Sequence, residues 1–329
     1  MQAAIYEHTG AAREVLQLAT LPDPAPGPGE LRVRLRWSGV NPSDVKSRAG
    51  LRSSVLPFPR IVPHSDGMGV VDAVGDGVAQ SRIGQRVWLW NAAWGRAFGT
   101  AAQYVVLPAR QAVPLPDAVS DDAAGACLGI PAMTALHALL CGGGVAGQRV
   151  LVAGGAGAVG HYAVQFARLL GARQVLATVS SPAKAALAHA AGADVVIDYR
   201  GEDVAARVRE TTQSQGLDRI VEVDIAANAA LDVTLLRRGG DCVVYGSGSA
   251  QFTLPFFPLI ANNLTLHCFM VYHLADADRE RAEHTLTGWL ERGQVAHHIG
   301  ERLPLARIAE AHERVEQGQA VGNLVLAIP

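Results

Sequence analysis

The middle of the chain alternates between short apolar runs and stretches in which apolar residues recur with helical spacing. The apolar runs, interpreted as strands, lie at 150–152, 175–179, 194–197, 219–223, 242–245 and 264–269. The stretches with helical spacing lie at 161–170, 182–190, 204–212 and 226–236. Strands that alternate with helices form a parallel sheet covered on both faces, so the pattern predicts a doubly wound α/β sheet.

The chain before residue 121 follows a different pattern, in which prolines and glycines separate short strand-like runs. These runs lie at 31–37, 69–74, 86–90 and 102–106. The pattern is typical of a compact β-rich domain with irregular loops. A helical connector at 121–128 and 134–140, interrupted at Pro131, is expected to lead from this domain into the alternating region.

The C-terminal part ends the alternation with two helical stretches, 275–291 and 305–316, and a last strand at 323–328. A terminal strand often returns to pair with an N-terminal domain. We therefore predict two domains, listed by their residues: a discontinuous β-rich domain of 1–122 and 272–329, and an α/β domain of 123–271.

A glycine-rich turn follows the first strand of the alternating region. Its glycines, Gly155, Gly157 and Gly160, have the spacing GxGxxG and stand between a strand and a helix. In dinucleotide-binding folds these glycines allow a tight turn, close approach of backbone to a pyrophosphate, and close packing of helix on strand. The alternative is an ordinary strand–helix turn, but the continued alternation favours a dinucleotide site.

Composition limits the possible partners and the compartment. The chain has 329 residues, 49% hydrophobic and 18% charged, with a net charge of −2, so neither nucleic acid nor a membrane is expected as a partner. No apolar run is expected to approach the roughly 18 to 20 residues of a membrane span, and the first residues do not resemble a signal peptide. The four scattered cysteines are typical of reduced thiols, so we expect a cytoplasmic protein.

Several short motifs recur in one known superfamily. They lie at 39–44, 65–71, 84–87, 129–135 and 309–313, together with the glycine turn. On these motifs the chain resembles the medium-chain dehydrogenase/reductase superfamily, and within it the zinc-free quinone oxidoreductases related to ζ-crystallin. The resemblance implies a GroES-like catalytic domain for the β-rich part and a Rossmann domain for the α/β part.

The resemblance also indicates that the chain lacks zinc. Asn41, Ser65 and Ile130 stand where the zinc enzymes of the superfamily have Cys, His and Cys, and none of the three can replace a thiolate or an imidazole. No cysteine precedes Cys127, so the four-cysteine structural zinc lobe is absent. His64 is one residue from a ligand position, and we expect it to be a hydrogen-bonding loop residue. Without a Lewis acid, reduction of an activated acceptor is easier than oxidation of an alcohol.

The residues after the second strand indicate which cofactor is bound. NAD enzymes usually have an acid about 20 residues past the glycine turn, but here Ser180 stands in a run, 178–184, that has no acid. Hydroxyls and a lysine suit the 2′-phosphate of NADPH, and the resemblance assigns this role to Ser180, Ser181, Lys184 and Tyr199. The alternative, which does not exclude the first, is that the serines cap the helix and Lys184 is solvated.

The resemblance implies further cofactor contacts. Thr134 is expected near the nicotinamide, Gly246 and Ser247 near its ribose, and residues 269–271 beside the ring. The complete set of expected cofactor residues is Asn41, Thr134, Gly155, Ala156, Gly157, Ala158, Val159, Gly160, Ser180, Ser181, Lys184, Tyr199, Gly246, Ser247, Phe269, Met270, Val271 and Asn323. For each contact outside the glycine turn, a purely structural role remains the alternative.

Three residues are candidates for catalysis: Asn41, Asp44 and Lys46. Asn41 could donate a hydrogen bond to the acceptor oxygen or the nicotinamide ribose, although Asn-Pro is also a common turn sequence. Several quinone reductases of this group have tyrosine where this chain has Lys46. The lysine is therefore either a group that stabilises a developing oxyanion or an ordinary surface residue.

Together these features predict an NADPH-dependent reductase that transfers hydride directly to a quinone in the cleft between the two domains. An enone or enal double-bond reductase is the first alternative. A non-catalytic NADPH-binding or RNA-associated protein is the second. The sheet edge at 264–269 is expected to pair with a second copy, giving a homodimer.

Overall fold

The computed structural model describes residues 1–329 and contains two compact units. One unit comprises Met1–Pro131 and Thr287–Pro329, and the other comprises Ala132–Leu286. Both boundaries fall later in the chain than the predicted 122 and 271. The start of the helical connector stays with the first unit because Gly125 packs closely on Met68. The start of the helix after residue 275 stays with the second unit, where Arg279 donates a hydrogen bond to the carbonyl of Val271.

The structure contains fifteen strands and ten α-helices. The strands are β1 (Gln2–Ile5), β2 (Gln17–Thr20), β3 (Glu30–Val40), β4 (Asp66–Val74), β5 (Arg86–Leu89), β6 (Tyr104–Pro108), β7 (Ala112–Pro114), β8 (Arg149–Val152), β9 (Gln174–Val179), β10 (Val195–Asp198), β11 (Leu217–Glu222), β12 (Leu236–Val244), β13 (Thr265–Cys268), β14 (Ile299–Pro304) and β15 (Asn323–Ala327). The helices are α1 (Ala12–Val15), α2 (Pro42–Arg48), α3 (Met133–Leu140), α4 (Ala158–Leu169), α5 (Pro182–Ala190), α6 (Val204–Thr211), α7 (Ile225–Leu235), α8 (Phe256–Ala261), α9 (Asp276–Glu291) and α10 (Ile308–Glu316).

The second unit is built on a six-stranded sheet in the order β10-β9-β8-β11-β12-β13. Each neighbouring pair in this sheet is parallel, and the order is that of a Rossmann fold. Leu151, Leu176 and Ile220 from its central strands are buried in one apolar cluster, as expected for strands covered on both faces. The prediction of a doubly wound α/β sheet is confirmed.

The first unit is built on a seven-stranded sheet of β14-β15-β3-β4-β5-β7, with β6 also paired to β3. The long strand β3 buries Leu31, Val33 and Leu35 in the core of this unit. The C-terminal strand β15 pairs antiparallel with β3, and Leu324 lies opposite Val40. The expected return of the last strand to the GroES-like domain is therefore confirmed.

The helical connector differs from its prediction at Pro131. The chain forms a 3₁₀ turn over Asp122–Cys127 and a π-helical turn over Leu128–Ala132 before α3 begins. Pro131 lies inside the π turn, where a wider ring tolerates a residue without an N–H. The whole stretch Asp122–Gly143 is long and apolar enough to cross a membrane by length and composition. The expectation that no apolar run approaches the length of a membrane span was therefore wrong. The most apolar window of this stretch is 94% buried inside the protein, as in a core helix.

Candidate active site

The glycine turn between β8 and α4 has close backbone contacts that exclude larger residues. A Cβ on Gly155 would lie 2.6 Å from the Cβ of Ala177, and a Cβ on Gly160 would overlap the carbonyl of Gly154. Gly154 itself has φ +69°, which favours glycine. The sequence prediction named Gly155, Gly157 and Gly160 but missed the role of Gly154, whose positive φ has no sequence signal beyond the glycine itself.

The start of α4 offers a site for a phosphate group. Gly157 is the exposed N-cap, and the first turn contains no acidic residue. The first N–H groups of a helix have no acceptor within it and favour an anion, together with the helix dipole. A Cβ on Gly157 would lie 3.2 Å from the carbonyl oxygen of Gly154, so glycine keeps this approach open. The residues present fit a dinucleotide pyrophosphate.

The end of β9 brings the predicted 2′-phosphate residues together. Lys184 Nζ donates a hydrogen bond to Ser180 Oγ at 3.1 Å, and Lys184 N donates to Ser181 Oγ at 3.3 Å. Ser181 therefore caps α5, as the structural alternative expected, while Ser180 and Lys184 form a separate polar pair. Thr178, which the sequence analysis did not select, accepts a hydrogen bond from Gly154 N at 3.1 Å.

The neighbouring strand β10 supplies Tyr199 to the same edge. Its backbone N–H bonds to the carbonyl of Val179 at 3.1 Å, and its side chain is exposed. Asp198, the last residue of β10, lies opposite Val179 in the sheet register. Its Oδ1 accepts a hydrogen bond from Arg200 N at 3.1 Å. This carboxylate is thus engaged by its own turn.

The carboxyl ends of β12 and β13 carry the residues expected near the nicotinamide. A Cβ on Gly246 would overlap the carbonyl of Val223, so glycine lets the two strand ends approach. The ring of Phe269 packs edge-on against His137, with 4.6 Å between centroids. Met270 is partly exposed. Thr134 and Val271, in contrast, are buried.

In the first unit, Asn41 lies at the N-terminus of α2 between two buried carboxyl groups. Asn41 N donates to Asp44 Oδ2 at 2.9 Å, and Asn41 Nδ2 donates to Asp66 Oδ2 at 2.9 Å. Ile130 N also donates to Asp66 Oδ2, at 3.0 Å. Two of the three former zinc positions therefore converge on Asp66. This residue is not itself one of those positions, so the sequence motif gives no signal for it.

These two carboxyl groups hold protons more tightly than ordinary aspartates. Burial raises the pKa of Asp44 to about 7. Burial, followed by the charge of Asp44, raises the pKa of Asp66 well above its usual range. The sequence showed no strong general acid, but the structure places two carboxyl groups with raised pKa values next to Asn41.

Two other predicted site residues, Lys46 and Asn323, also lie in the first unit. Lys46 is partly buried on α2. Asn323 is buried, and its Nδ2 donates to the carbonyl of His298 at 3.1 Å. That bond ties β15 to the chain before β14, so the amide already has a structural role, and a cofactor contact at Asn323 stays a prediction.

His64 belongs to a buried hydrogen-bonded chain, and its expected role as a hydrogen-bonding residue is confirmed. Thr100 Oγ1 donates to the carbonyl of Asp66 at 2.5 Å, and Ser38 Oγ lies 2.8 Å from both Thr100 Oγ1 and His64 Nδ1. Each hydroxyl has one proton, so Ser38 donates to Thr100 and accepts from His64. His64 Nε2 then accepts from His312 Nε2 at 2.9 Å.

The residues at the former zinc positions do not fit a metal ion. An amide, a hydroxyl and an isoleucine side chain do not form the donor set of a zinc site. The structure contains no group of three or more His, Cys, Asp or Glu side chains that could hold a metal.

Both units match known families. Residues 27–117 match the alcohol dehydrogenase GroES-like domain, and residues 158–287 match the family described as zinc-binding dehydrogenase. The second segment contains none of the former zinc positions Asn41, Ser65 and Ile130. The family description therefore does not conflict with the residues that this chain has there.

Related proteins match along the whole chain. Human quinone oxidoreductase is 30% identical over 331 residues, which cover 98% of this chain and 96% of that protein. A solved structure of an NAD-dependent alcohol dehydrogenase is 31% identical with a TM-score of 0.91, covering 100% of both chains. A mycobacterial protein complexed with NADPH is also 31% identical, with a TM-score of 0.86, covering 99% of this chain and 100% of that one.

The chain belongs to the zinc-free quinone oxidoreductases of the medium-chain dehydrogenase/reductase superfamily, as its sequence motifs predict. It has the two domains of that superfamily, and it is an oxidoreductase by family.

Proposed function

We propose that this protein reduces quinones with NADPH by direct hydride transfer, without zinc. The observation that carries the proposal is the pair of Ser180 and Lys184, joined at 3.1 Å at the end of β9, where an NAD enzyme usually has an acid. Relatives include both a protein complexed with NADPH and one named as NAD-dependent. The proposed preference for NADPH over NADH is therefore based on the residues of this chain.

The second unit would hold the cofactor along the carboxyl edge of its sheet. The turn 154–160 would hold the pyrophosphate, and Ser180, Lys184 and Tyr199 would hold the 2′-phosphate. A hydroxyl, an ammonium and a phenol are all donors, and Lys184 adds the positive charge that a phosphate favours. When bound, the nicotinamide supplies a hydride to the acceptor.

The first unit would supply a polar group and a proton. Asn41 is held by Asp44 and Asp66, so its amide has a fixed orientation. Reduction of a quinone to a hydroquinone by one hydride requires one further proton. Asp44 holds a proton near neutral pH because burial raises its pKa to about 7, and we assign it as the source of that proton.

The second candidate is reduction of an enone, and the same buried acid favours it. Hydride addition to the β-carbon leaves an enolate whose carbon must take a proton, so a positioned acid matters more there than with a quinone oxyanion, which water can also protonate. Because Asp44 could supply this proton, enone reduction is the second candidate function.

An acceptor panel tests these candidates with the purified protein. NADPH oxidation is measured at 340 nm with 1,4-benzoquinone, with an α,β-unsaturated ketone, and without acceptor. The proposal expects faster turnover with the quinone, and faster turnover with the ketone would favour the alternative. Tight NADPH binding without turnover of either acceptor would contradict both and support a non-catalytic binding protein.

We also propose that the protein forms a homodimer through β13. This strand pairs with β12 on one side only and ends the sheet. The adjacent helix α8 exposes 72% of Phe256 and 73% of Phe257. An unpaired strand edge beside exposed aromatic residues is suited to association with a second copy.

A further inference from the structure

Two acidic side chains are buried together beneath the carboxyl edge of the Rossmann sheet. Glu222 is the last residue of β11, and Asp232 lies on α7, which follows it. Glu222 is 1% exposed and Asp232 is 3% exposed. The two carboxyl groups lie within hydrogen-bonding range of each other. A hydrogen bond between two carboxyl groups requires a proton on one of them, so the pair holds one proton.

The surroundings decide which member holds the proton. Glu222 Oε1 accepts from Asp224 N at 2.5 Å and from Asn228 Nδ2 at 3.1 Å. These donors favour the ionised form of Glu222. Asp232 has only a weak contact from Cys242 Sγ, at 3.9 Å. Burial, and then the charge of Glu222, raises the pKa of Asp232 to about 8, so Asp232 is the protonated member at neutral pH.

Glu222 connects this pair to the two loops that border the sheet edge. It holds the backbone of Asp224, and Asp224 Oδ1 accepts from Gly248 N at 2.6 Å. The backbone adds two further bonds, from Tyr245 N to the carbonyl of Glu222 at 3.1 Å and from Ile225 N to the carbonyl of Gly246 at 3.3 Å.

The second of these loops follows β12 and contains Gly246 and Ser247. Under the proposed function these two residues border the nicotinamide ribose. The carboxyl ends of the strands are also where open α/β sheets bind their ligands.

We propose that Glu222 is a positioning residue for the cofactor, and that the proton it shares with Asp232 keeps the loops after β11 and β12 in their binding arrangement. The inference rests on the proposed function, because it assumes that these loops contact a nicotinamide cofactor. Loss of the proton leaves two negative charges in contact within a buried site, and the repulsion loosens the bonds to Asp224 and Gly248. Cofactor affinity then falls at alkaline pH.

The ionisable groups that interact with the pair are Asp224, Cys242 and Tyr245, and none of them carries a positive charge. Helix α8, which packs against α7, brings only apolar side chains. Helix α6 also packs against α7, but its Arg207 pairs with Glu202 and Glu210, and its Arg209 is exposed.

The test is the pH dependence of NADPH affinity in the wild type and in Asp232→Asn. An asparagine amide can donate to Glu222 at every pH, so it keeps the bond and removes the titration. NADPH dissociation constants are measured by fluorescence titration between about pH 7 and about pH 9.5. We expect the wild type to weaken about fivefold over this range, and Asp232→Asn to equal it at neutral pH and change by less than about twofold.

Two further variants separate positioning from general destabilisation. Glu222→Leu removes the acceptor for Asp224 N and is expected to weaken NADPH binding about tenfold at every pH. Glu210→Gln, an exposed carboxylate on α6, is the matched control and is expected to follow the wild type. Equal pH profiles in the wild type and Asp232→Asn would overturn the inference and leave the proposed function intact. If the wild type bound neither NADPH nor NADH at any pH, the proposed function would fail and the inference with it.

Discussion

At the scale of single residues, the side chains that define the site divide into those with a sequence signal and those without. Gly155 and Gly160 follow a known spacing, and Ser180 occupies a known offset from them, so sequence alone selects them. Asp66 and Asp232 have no such signal. Their roles arise from burial beside Asn41 and Glu222, contacts that exist only in the folded chain.

The buried carboxyl of Asp44 gives a prediction about stability. Its pKa is about 7 in the folded protein and about 3.9 in an unfolded chain, so the folded state binds the proton more tightly. The stabilising contribution of this proton is complete below about pH 4 and is lost as the pH rises to about 7. Asp44→Asn has no such loss. Between pH 5 and 8 the melting temperature of the wild type is therefore expected to fall by about 4 °C more than that of Asp44→Asn.

Thermal unfolding followed by circular dichroism at both pH values measures this difference. Asp76→Asn, at an exposed aspartate of the same unit, is the control and is expected to keep the wild-type slope. Equal slopes for Asp44→Asn and the wild type would show that Asp44 is ionised in the folded protein.

At the scale of elements, hydrophobic periodicity predicted the Rossmann strands well because the central strands β8, β9 and β11 are mostly buried. Helix α5 begins and ends as predicted, at Pro182 and Ala190. The connector at 121–140 was predicted less well. A proline inside apolar sequence normally ends a helix, but here the chain continues through a π turn in which Gly129 packs closely against Asp66 and Leu89. These tertiary contacts have no sequence signal.

The unpaired strand β13 gives a prediction at this scale. Replacing Phe256 and Phe257 together by lysine places charge on the exposed face of α8 and is expected to convert a dimer to a monomer. Sedimentation velocity measures the change. Leu51→Lys, at a side chain 73% exposed in the other unit, is the matched control and is expected to stay dimeric. A monomeric wild type, or a double variant that remains dimeric, would contradict the proposed interface.

At the scale of the whole molecule, the sequence predicted the discontinuous arrangement of the two units, and β15 explains it. This last strand pairs with β3, so the C-terminal residues belong to the same unit as the N-terminal ones. The exact boundaries depend on which unit each connecting helix packs against, and hydrophobic periodicity does not contain that information. The glycine turn and Lys184 lie in one unit, and Asn41 and Asp44 lie in the other.

The central claim is that this oxidoreductase uses NADPH through Lys184. A single contact between a lysine and a phosphate contributes about 1.5 to 3 kcal/mol, or roughly 10- to 100-fold in affinity. The decisive measurement is the NADPH and NADH dissociation constants of the wild type, Lys184→Ala and the control Arg209→Ala, an exposed arginine on α6. The account predicts that Lys184→Ala alone loses NADPH affinity by that factor and keeps its NADH affinity, whereas an unchanged preference would contradict it.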